Sequence, residues 1–228
     1  MRTLAIDIGG SGIKAMVVSP NGKPITKRAR VKTPRPATPA ALLKTLVALV
    51  KQQGKFDRVS VGFPGVVHRG VTVTAPNLDG NWRNFKLAET LAKKLGKPVR
   101  VANDADVQGF GVIAGDGVEL VVTLGTGFGS GMFVDGHSVP NLEIAHHPFQ
   151  RGKTYEELLG DKARKKIGKK KWNKRLVRAI RTLDHLFNYD HLYIGGGNAK
   201  RVTAKLPRNV KIVSNVAGLL GGIALWRD

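Results

Sequence analysis

The sequence contains no cysteine, so disulfide frameworks, thiolate metal sites and cysteine nucleophiles are excluded together. Aromatic residues make up 6% of the chain, too few for the stacking platforms with which RNA-binding modules hold bases. No apolar run approaches the roughly 20 residues of a membrane-spanning helix. The opening MRTLAIDIGG has no basic segment followed by an apolar one. A cytoplasmic location with no membrane partner is the expectation. Acidic residues are scarce, 16 Asp and Glu against 38 Lys and Arg, for a net charge of +22. Such an excess repels itself and points to an anionic partner or to solubility, while saying nothing about fold. With 228 residues and 42% hydrophobic content, the chain can bury the core of one large domain or two small ones.

What is present alternates strands, glycine-rich turns and amphipathic helices. Residues 3–8 (TLAIDI) predict a buried strand ending at an aspartate; 12–19 and 25–33 predict two more, joined through Pro-Asn-Gly at 20–22. A Pro-rich connector at 33–39 leads to a helix over 39–53, with Leu42, Leu46 and Leu49 on one face. A strand at 58–63, a β segment at 66–74, the polar loop APNLDGNW (75–82), a helix over 84–95 and a strand at 98–102 follow. ELVVTLGTGFGSGMFVDG (119–136) then repeats the strand, glycine turn, strand pattern. From Tyr155 onward Trp172, Leu176, Ile180, Leu183 and Phe187 recur at helical spacing. A strand at 191–195 enters Gly195-Gly196-Gly197, and 214–226 predicts a closing helix. The fold class is α/β. The repeated unit implies two lobes, 1–102 and 103–228, joined near residue 103 with a cleft between them.

The chemistry-bearing residues cluster at these turns. In DIGGSGIK (7–14), Gly9, Gly10 and Gly12 would let backbone N–H groups cradle phosphate oxygens, with Ser11 adding a hydroxyl and Lys14 a charge. Asp7 could hold Mg²⁺ directly or through water; the plain alternative is a tight hairpin. GxxxxGK[ST] is absent, and these glycines introduce a strand where a dinucleotide-binding turn introduces a helix. LGTGFGSG (124–131) is a second turn of the same sort, with Gly125, Gly127, Thr126 and Ser130. Asn103-Asp104 follows a strand and opens a helix. Asp104 either caps that helix or accepts a proton from a hydroxyl attacking phosphorus, with Asp106 as the weaker competitor. Asn77, Asp79, Asn81 and Trp82 suit a sugar, though a turn-rich loop reads the same way. Glu143 and His146, three apart, suggest a metal pair, but further ligands are few and hydroxyl recognition is preferred.

Together DIGGSGIK, Phe-Pro-Gly at 63–65, APNLDGNW, Asn103-Asp104, LGTGFGSG and LYIGGGNA resemble the ROK sugar kinases. Within that family the likeness to the polyphosphate glucokinase branch rests on GKTYEELLG (152–160), GKKKWNKR (168–175), GGGNAK (195–200) and the tail ending in Trp226. The resemblance implies the two-lobed actin/hexokinase-like (ribonuclease H-like) ATPase fold and a homodimer. It also implies phosphoryl transfer from inorganic polyphosphate, and often ATP, to the 6-hydroxyl of glucose. It makes Asp104 the catalytic base and Gly65, Asn77, Asn103, Glu143 and His146 sugar ligands. Residues 9–12 and 125–127 would bind the donor, with Mg²⁺ near Asp7. Two departures stand out. The cysteines of the zinc motif found in many ROK kinases are absent, so no zinc is expected. Ala145 stands where glycine is usual, and His147 directly follows His146, leaving open which histidine faces the sugar.

RKKIGKKKWNKR (164–175) holds eight Lys or Arg in twelve residues, and 151–181 holds thirteen basic residues against three acidic. Taken alone this run suits nucleic acid as well as any polyanion. Beside two phosphate turns it reads as a track for polyphosphate formed by Lys165, Lys166, Lys169, Lys170, Lys171, Lys174 and Arg175. Trp172 then belongs to the apolar stripe, and Gly168 separates two helices. The rivals are an ATP-dependent hexokinase acting on glucose or mannose and a nucleic-acid-binding regulator. The latter is not expected, because ROK-type repressors carry a helix-turn-helix ahead of the kinase-like part and the first strand here opens at residue 3.

Overall fold

An almost unbroken apolar run such as TLAIDI must be covered on both faces. Strand β1 (Thr3–Ile8) accordingly lies at the centre of a sheet with nearly every residue buried. The computed structural model describes residues 1–214 and 220–226. The chain divides into two units, one of Met1–Gly111 with the C-terminal end of the chain, the other of Val112–Asn215.

In the first unit β1 is followed by β2 (Gly12–Val18), β3 (Ala29–Lys32), α1 (Pro39–Val50), β4 (Arg58–Phe63) and the short pair β5 (Val67–His68) and β6 (Val71–Thr72). Helix α2 (Leu87–Leu95), β7 (Val99–Asn103) and α3 (Asp104–Phe110) complete it. The sheet order is β3-β2-β1-β4-β7, antiparallel on the β2 side of β1 and parallel on the β4 side. Thr38 caps α1, its hydroxyl accepting from the Ala41 N–H, and Pro39 occupies the first turn where its missing N–H costs nothing. Leu42, Leu46 and Leu49 of α1 pack with Ile6, Val61 and Phe63 into one core. The other face of the sheet is covered at Ala5, Met16 and Val18 by Ile223, from the 3₁₀ turns Gly221–Trp226. Trp226 donates to Ser60 Oγ at 2.8 Å and lies under the guanidinium groups of Arg58 and Arg100.

The second unit repeats this plan. Along it run β8 (Val118–Leu124), β9 (Phe128–Val134), β10 (His137–Val139), β11 (Pro148–Gln150), β12 (Lys153–Thr154), α4 (Tyr155–Leu159), α5 (Asp161–Phe187), β13 (His191–Gly195) and β14 (Val210–Ile212). Its sheet order, β10-β9-β8-β13-β14, again places an antiparallel hairpin on one side of the first strand and parallel strands on the other. Helix α5 is interrupted at Gly168, whose φ of 78° and ψ of 161° lie outside the helical region and suit only glycine. Beyond the break Trp172, Leu176, Ile180 and Leu183 are buried against Leu120, Val122, Leu192 and Ile194. The Trp172 indole N–H donates to the Leu159 carbonyl at 2.8 Å, which makes it a core anchor and not a stacking platform.

Several boundaries differ from the sequence-based expectation, each for a local reason. The third strand, expected over 25–33, is confined to Ala29–Lys32. Pro24 has no N–H, and the N–H groups of Ile25 and Thr26 converge on one carbonyl, that of Val17, so the ladder is broken there. Helix α2 starts at Leu87 and not at 84, because Phe85 bridges Thr72. Helix α1 stops at Val50, short of 53. The β segment at 66–74 is the β5–β6 hairpin. The lobe boundary expected at 102/103 falls earlier than the division after Gly111, because α3 packs on the first sheet, with Asp104 and Val107 against Gly62. Of the closing helix expected over 214–226, residues 215–219 lie outside the described residues, and Gly221–Trp226 are 3₁₀ turns.

Candidate active site

The first glycine turn joins β1 to β2 and is held from below. Thr33 Oγ1 donates to the Gly9 carbonyl at 2.6 Å and Arg35 Nη2 to the Gly10 carbonyl at 2.8 Å. With those carbonyls tied inward, Ser11 is left exposed at the tip. Lys14 and Asp7 face each other across the hairpin, with Nζ 2.7 Å from Oδ2. The phosphate-binding lysine and the metal-binding aspartate expected from sequence are thus an ion pair. Asn77 adjoins the turn, its Cβ 3.3 Å from where a side chain on Gly10 would begin. The rest of APNLDGNW serves the fold. Asp79 Oδ2 accepts from the Ala37 N–H and from Arg35, Asn81 Oδ1 accepts from the Arg83 N–H, and Trp82 is in the core.

The junction of β7 with α3 separates the neighbouring polar residues. Asn103, and not Asp104, caps the helix: its side-chain oxygen accepts from the N–H groups of Ala105 and Asp106 at 2.8 and 3.3 Å. Its amide donates to the Gly65 carbonyl at 3.2 Å, linking two of the sugar-ligand candidates. Asp104 is the first helical residue and remains half-exposed, whereas Asp106 is buried at 3% exposure. A group that receives a proton from a substrate must be reachable, so burial ranks Asp106 below Asp104.

In the second unit Thr126 is exposed at the tip of the turn between β8 and β9. Two residues outside the sequence candidates buttress this turn. The Asn198 amide donates to the Gly125 carbonyl at 3.1 Å and to Asp161 Oδ1 at 3.2 Å, and the Asp161 N–H donates to Gly125 at 3.1 Å. Asn198 follows the triple glycine, so the GGGNAK run carried a signal; Asp161 carried none. Ser130 is buried and does not present its hydroxyl to a phosphate. It donates to the Leu142 carbonyl and accepts from the Ile144 N–H, fixing the 142–144 segment.

That segment presents Glu143 and His146, whose Oε2 and Nε2 lie 3.6 Å apart. His147 instead turns toward the Tyr155 ring, so His146 is the histidine that faces Glu143. Burial pushes the Glu143 carboxyl above its ordinary range; His146 opposes the shift and Glu156 adds to it. Glu156, also missed by the sequence reading, accepts from the Phe128 N–H at 3.3 Å. Two carboxylates and an imidazole form a set suited to sugar hydroxyls. Among the described residues no group of three or more His, Cys, Asp or Glu is placed to hold a metal ion. No helix of the described residues is long and apolar enough to cross a membrane.

The structure divides the basic run. Lys165 pairs with Asp161 at 2.8 Å, as does Arg164 at 2.7 Å. Together with the Asn198 amide, these cations hold the Asp161 carboxyl down to about 2, Lys165 having the largest effect. Lys166, Lys174 and Arg175 line a cavity of about 470 Å³. Lys169 and Lys170 line a different one of about 520 Å³, which Lys174 also borders. Lys171 is exposed and lines neither.

A profile of the ROK family matches residues 3–141. The polyphosphate glucokinase of Mycobacterium tuberculosis is 34% identical over 95% of this chain and 88% of its own. The inorganic polyphosphate/ATP-glucomannokinase of Arthrobacter sp. strain KM superposes with a TM-score of 0.89 at 33% identity, covering 99% of both chains. A ROK family glucokinase from Streptomyces griseus shares the fold, with a TM-score of 0.77 at 20% identity over 99% of both chains. The repeated five-stranded sheets, the paired glycine turns and this likeness over nearly the whole length lead to one conclusion: the chain belongs to the ROK family and has the actin/hexokinase-like fold of its sugar kinases.

Proposed function

We propose that this chain is a polyphosphate-dependent glucokinase, transferring the terminal phosphoryl group of inorganic polyphosphate, with ATP as a second donor, to the 6-hydroxyl of glucose. The observation that carries the reading is the β7–α3 junction, where Asp104 stays reachable while Asn103 takes over the capping role. The names of the relatives in Mycobacterium tuberculosis and Arthrobacter support the donor.

Asp104 orients the sugar hydroxyl and accepts its proton as the oxygen attacks the terminal phosphorus. The bond from that phosphorus to the rest of the chain breaks, and the shortened polyphosphate leaves. Such transfer depends on positioning and charge stabilisation more than on covalent help. Gly65, Asn77 and Asn103 in the first unit and Glu143 and His146 in the second are the assigned sugar contacts. Gly9, Gly10, Ser11, Gly12 and Lys14, with Gly125, Thr126 and Gly127, are assigned to the donor phosphates. Mg²⁺ is the proposed metal, with Asp7 holding it through water. A single half-buried carboxylate paired with Lys14 fits an ion whose other ligands are donor phosphates and water. Bound there, it would neutralise charge on the transferred group. A homodimer is the proposed assembly.

The test is glucose phosphorylation by the purified chain with Mg²⁺ and polyphosphate, ATP or no donor. Transfer from polyphosphate is expected; transfer from ATP alone would reduce the reading to an ATP-dependent sugar kinase. The name of the Arthrobacter relative favours mannose as a second acceptor, to be run in parallel.

A further inference from the structure

The basic run is only one wall of a feature that the tertiary structure completes. The cavity of about 470 Å³ lies within the second unit, between the β11–β12 hairpin and α5. Arg151 and Lys153 reach it from the hairpin, and Lys166, Lys174, Arg175 and Arg178 from α5. Lys174 and Arg178 are one helical turn apart and so share a face. The single carboxylate in the lining, Glu157, is already engaged: its Oε2 accepts from the Thr154 N–H at 2.8 Å, closing the capping box of α4. Among the described residues none of the six cations forms an ion pair, in contrast to Arg164 and Lys165 on the same helix.

Glu157 feels the charge of Lys153 and offsets part of it, but six cations around one concavity with a single carboxylate still repel one another, and the fold tolerates this where an anion neutralises them. The groove also adjoins the second glycine turn. Glu157 and Leu158 of its wall belong to α4, and Gly160 and Asp161, just past the end of that helix, contact the turn; the Asp161 N–H donates to the Gly125 and Thr126 carbonyls. A linear polyanion whose end sits at the glycine turn can therefore continue along α5.

We propose that this groove seats the non-reacting phosphates of a long polyphosphate, and that Arg151, Lys153 and Arg178, which lie outside the RKKIGKKKWNKR run, hold the chain together with Lys166, Lys174 and Arg175. This rests on the polyphosphate reading above and adds a site to it. The triphosphate of ATP is too short to depend on the groove, so the groove separates long donors from short ones.

The test compares wild type with R151A/K153A/R178A, and with R181A/K205A/K211A, which removes the same charge elsewhere in the unit. The Michaelis constant for long-chain polyphosphate is expected to rise about ten- to hundredfold in the first variant only. The constants for tripolyphosphate, ATP and glucose should stay within about twofold, the small effect expected of exposed charges that a short ligand does not touch. Direct binding of fluorescently labelled long-chain polyphosphate, measured without glucose, should weaken in parallel. An equal loss in both triple variants would mean bulk charge and overturn the groove, as would unchanged binding in the first. Weakened single-stranded RNA binding with polyphosphate binding intact would reassign the groove to nucleic acid. If wild type transfers nothing from polyphosphate, the functional reading fails, and the binding measurement still decides the groove. R178E alone serves as the readout if the triple variant loses its folding transition.

Discussion

Lys14 Nζ stands 2.7 Å from the Asp7 carboxylate, across the hairpin that carries the first glycine turn. The two side chains neutralise each other, and on the functional reading each also has a ligand, phosphate for Lys14 and metal for Asp7. Removing one should therefore shift the affinity for the other's ligand.

In Lys14→Met the donor Michaelis constant should rise about ten- to hundredfold, since hydrogen bonds to charged groups contribute about 1.5–3 kcal/mol. The half-saturating Mg²⁺ concentration should fall, because Asp7 loses its competing cation. A pair that serves the hairpin alone would lower the melting temperature and leave both constants unchanged.

Asp104 and Asn103 can be separated by substitution. Asp104→Asn should lower kcat by about 10²–10⁴, the usual contribution of a general base, with glucose binding retained. Near-wild-type turnover would remove Asp104 from the mechanism. Asn103→Ala should cost about 0.5–2 kcal/mol of stability through the lost cap. Asn103→Asp keeps the capping oxygen but turns a carboxylate oxygen toward the Gly65 carbonyl where the amide donated, so it should regain only part of the melting temperature while the glucose Michaelis constant stays raised.

Glu143 carries a desolvated carboxyl whose pKa is raised in the folded state. A raised carboxyl favours folding below its unfolded pKa, and that contribution is lost as pH rises through the folded value. Glu143→Gln should therefore melt higher than wild type at neutral pH, with the gap closing on acidification, while its glucose Michaelis constant rises. A lower neutral-pH melting temperature would show that the carboxylate is a net structural contact.

Asp161 has the opposite sign. Its pKa falls from 3.8 to about 2 on folding, so its ionisation contributes stability that is present above 3.8 and lost as pH falls through about 2. Asp161→Asn should be less stable than wild type at neutral pH, and the two melting curves should converge toward pH 2. A constant offset across that range would argue that the amide contacts of Asn198, and not the charge, set the contribution.

The sequence was most informative where a residue's own chemistry dictates its place. Runs such as 3–8, 58–63 and 191–195 form the strands they predict, being short, rich in β-branched and other apolar residues, and bounded by turn residues. Gly168 breaks α5 because only glycine adopts its backbone conformation readily. Choices between chemically similar neighbours were not legible. Asn103 and Asp104 are both good caps, and the direction in which β7 enters α3 selects the first. His146 and His147 differ only by the 3₁₀ turn Ile144–His146, which sends one toward Glu143 and the other toward Tyr155.

The sequence by itself determined the α/β class, the paired glycine turns and the large positive charge, because these follow from composition and local pattern. Only the tertiary structure decided which charges act together. The fold gathers Arg151 and Lys153 of the β11–β12 hairpin and Arg178 of α5 around one cavity, although 25 or more residues separate them along the chain. The pairing of Lys165 with Asp161, four residues apart on α5, is by contrast a matter of helical spacing, and Lys171 stays outside the groove. Proximity across the chain is a property of the folded core, and no run of residues read in order records it.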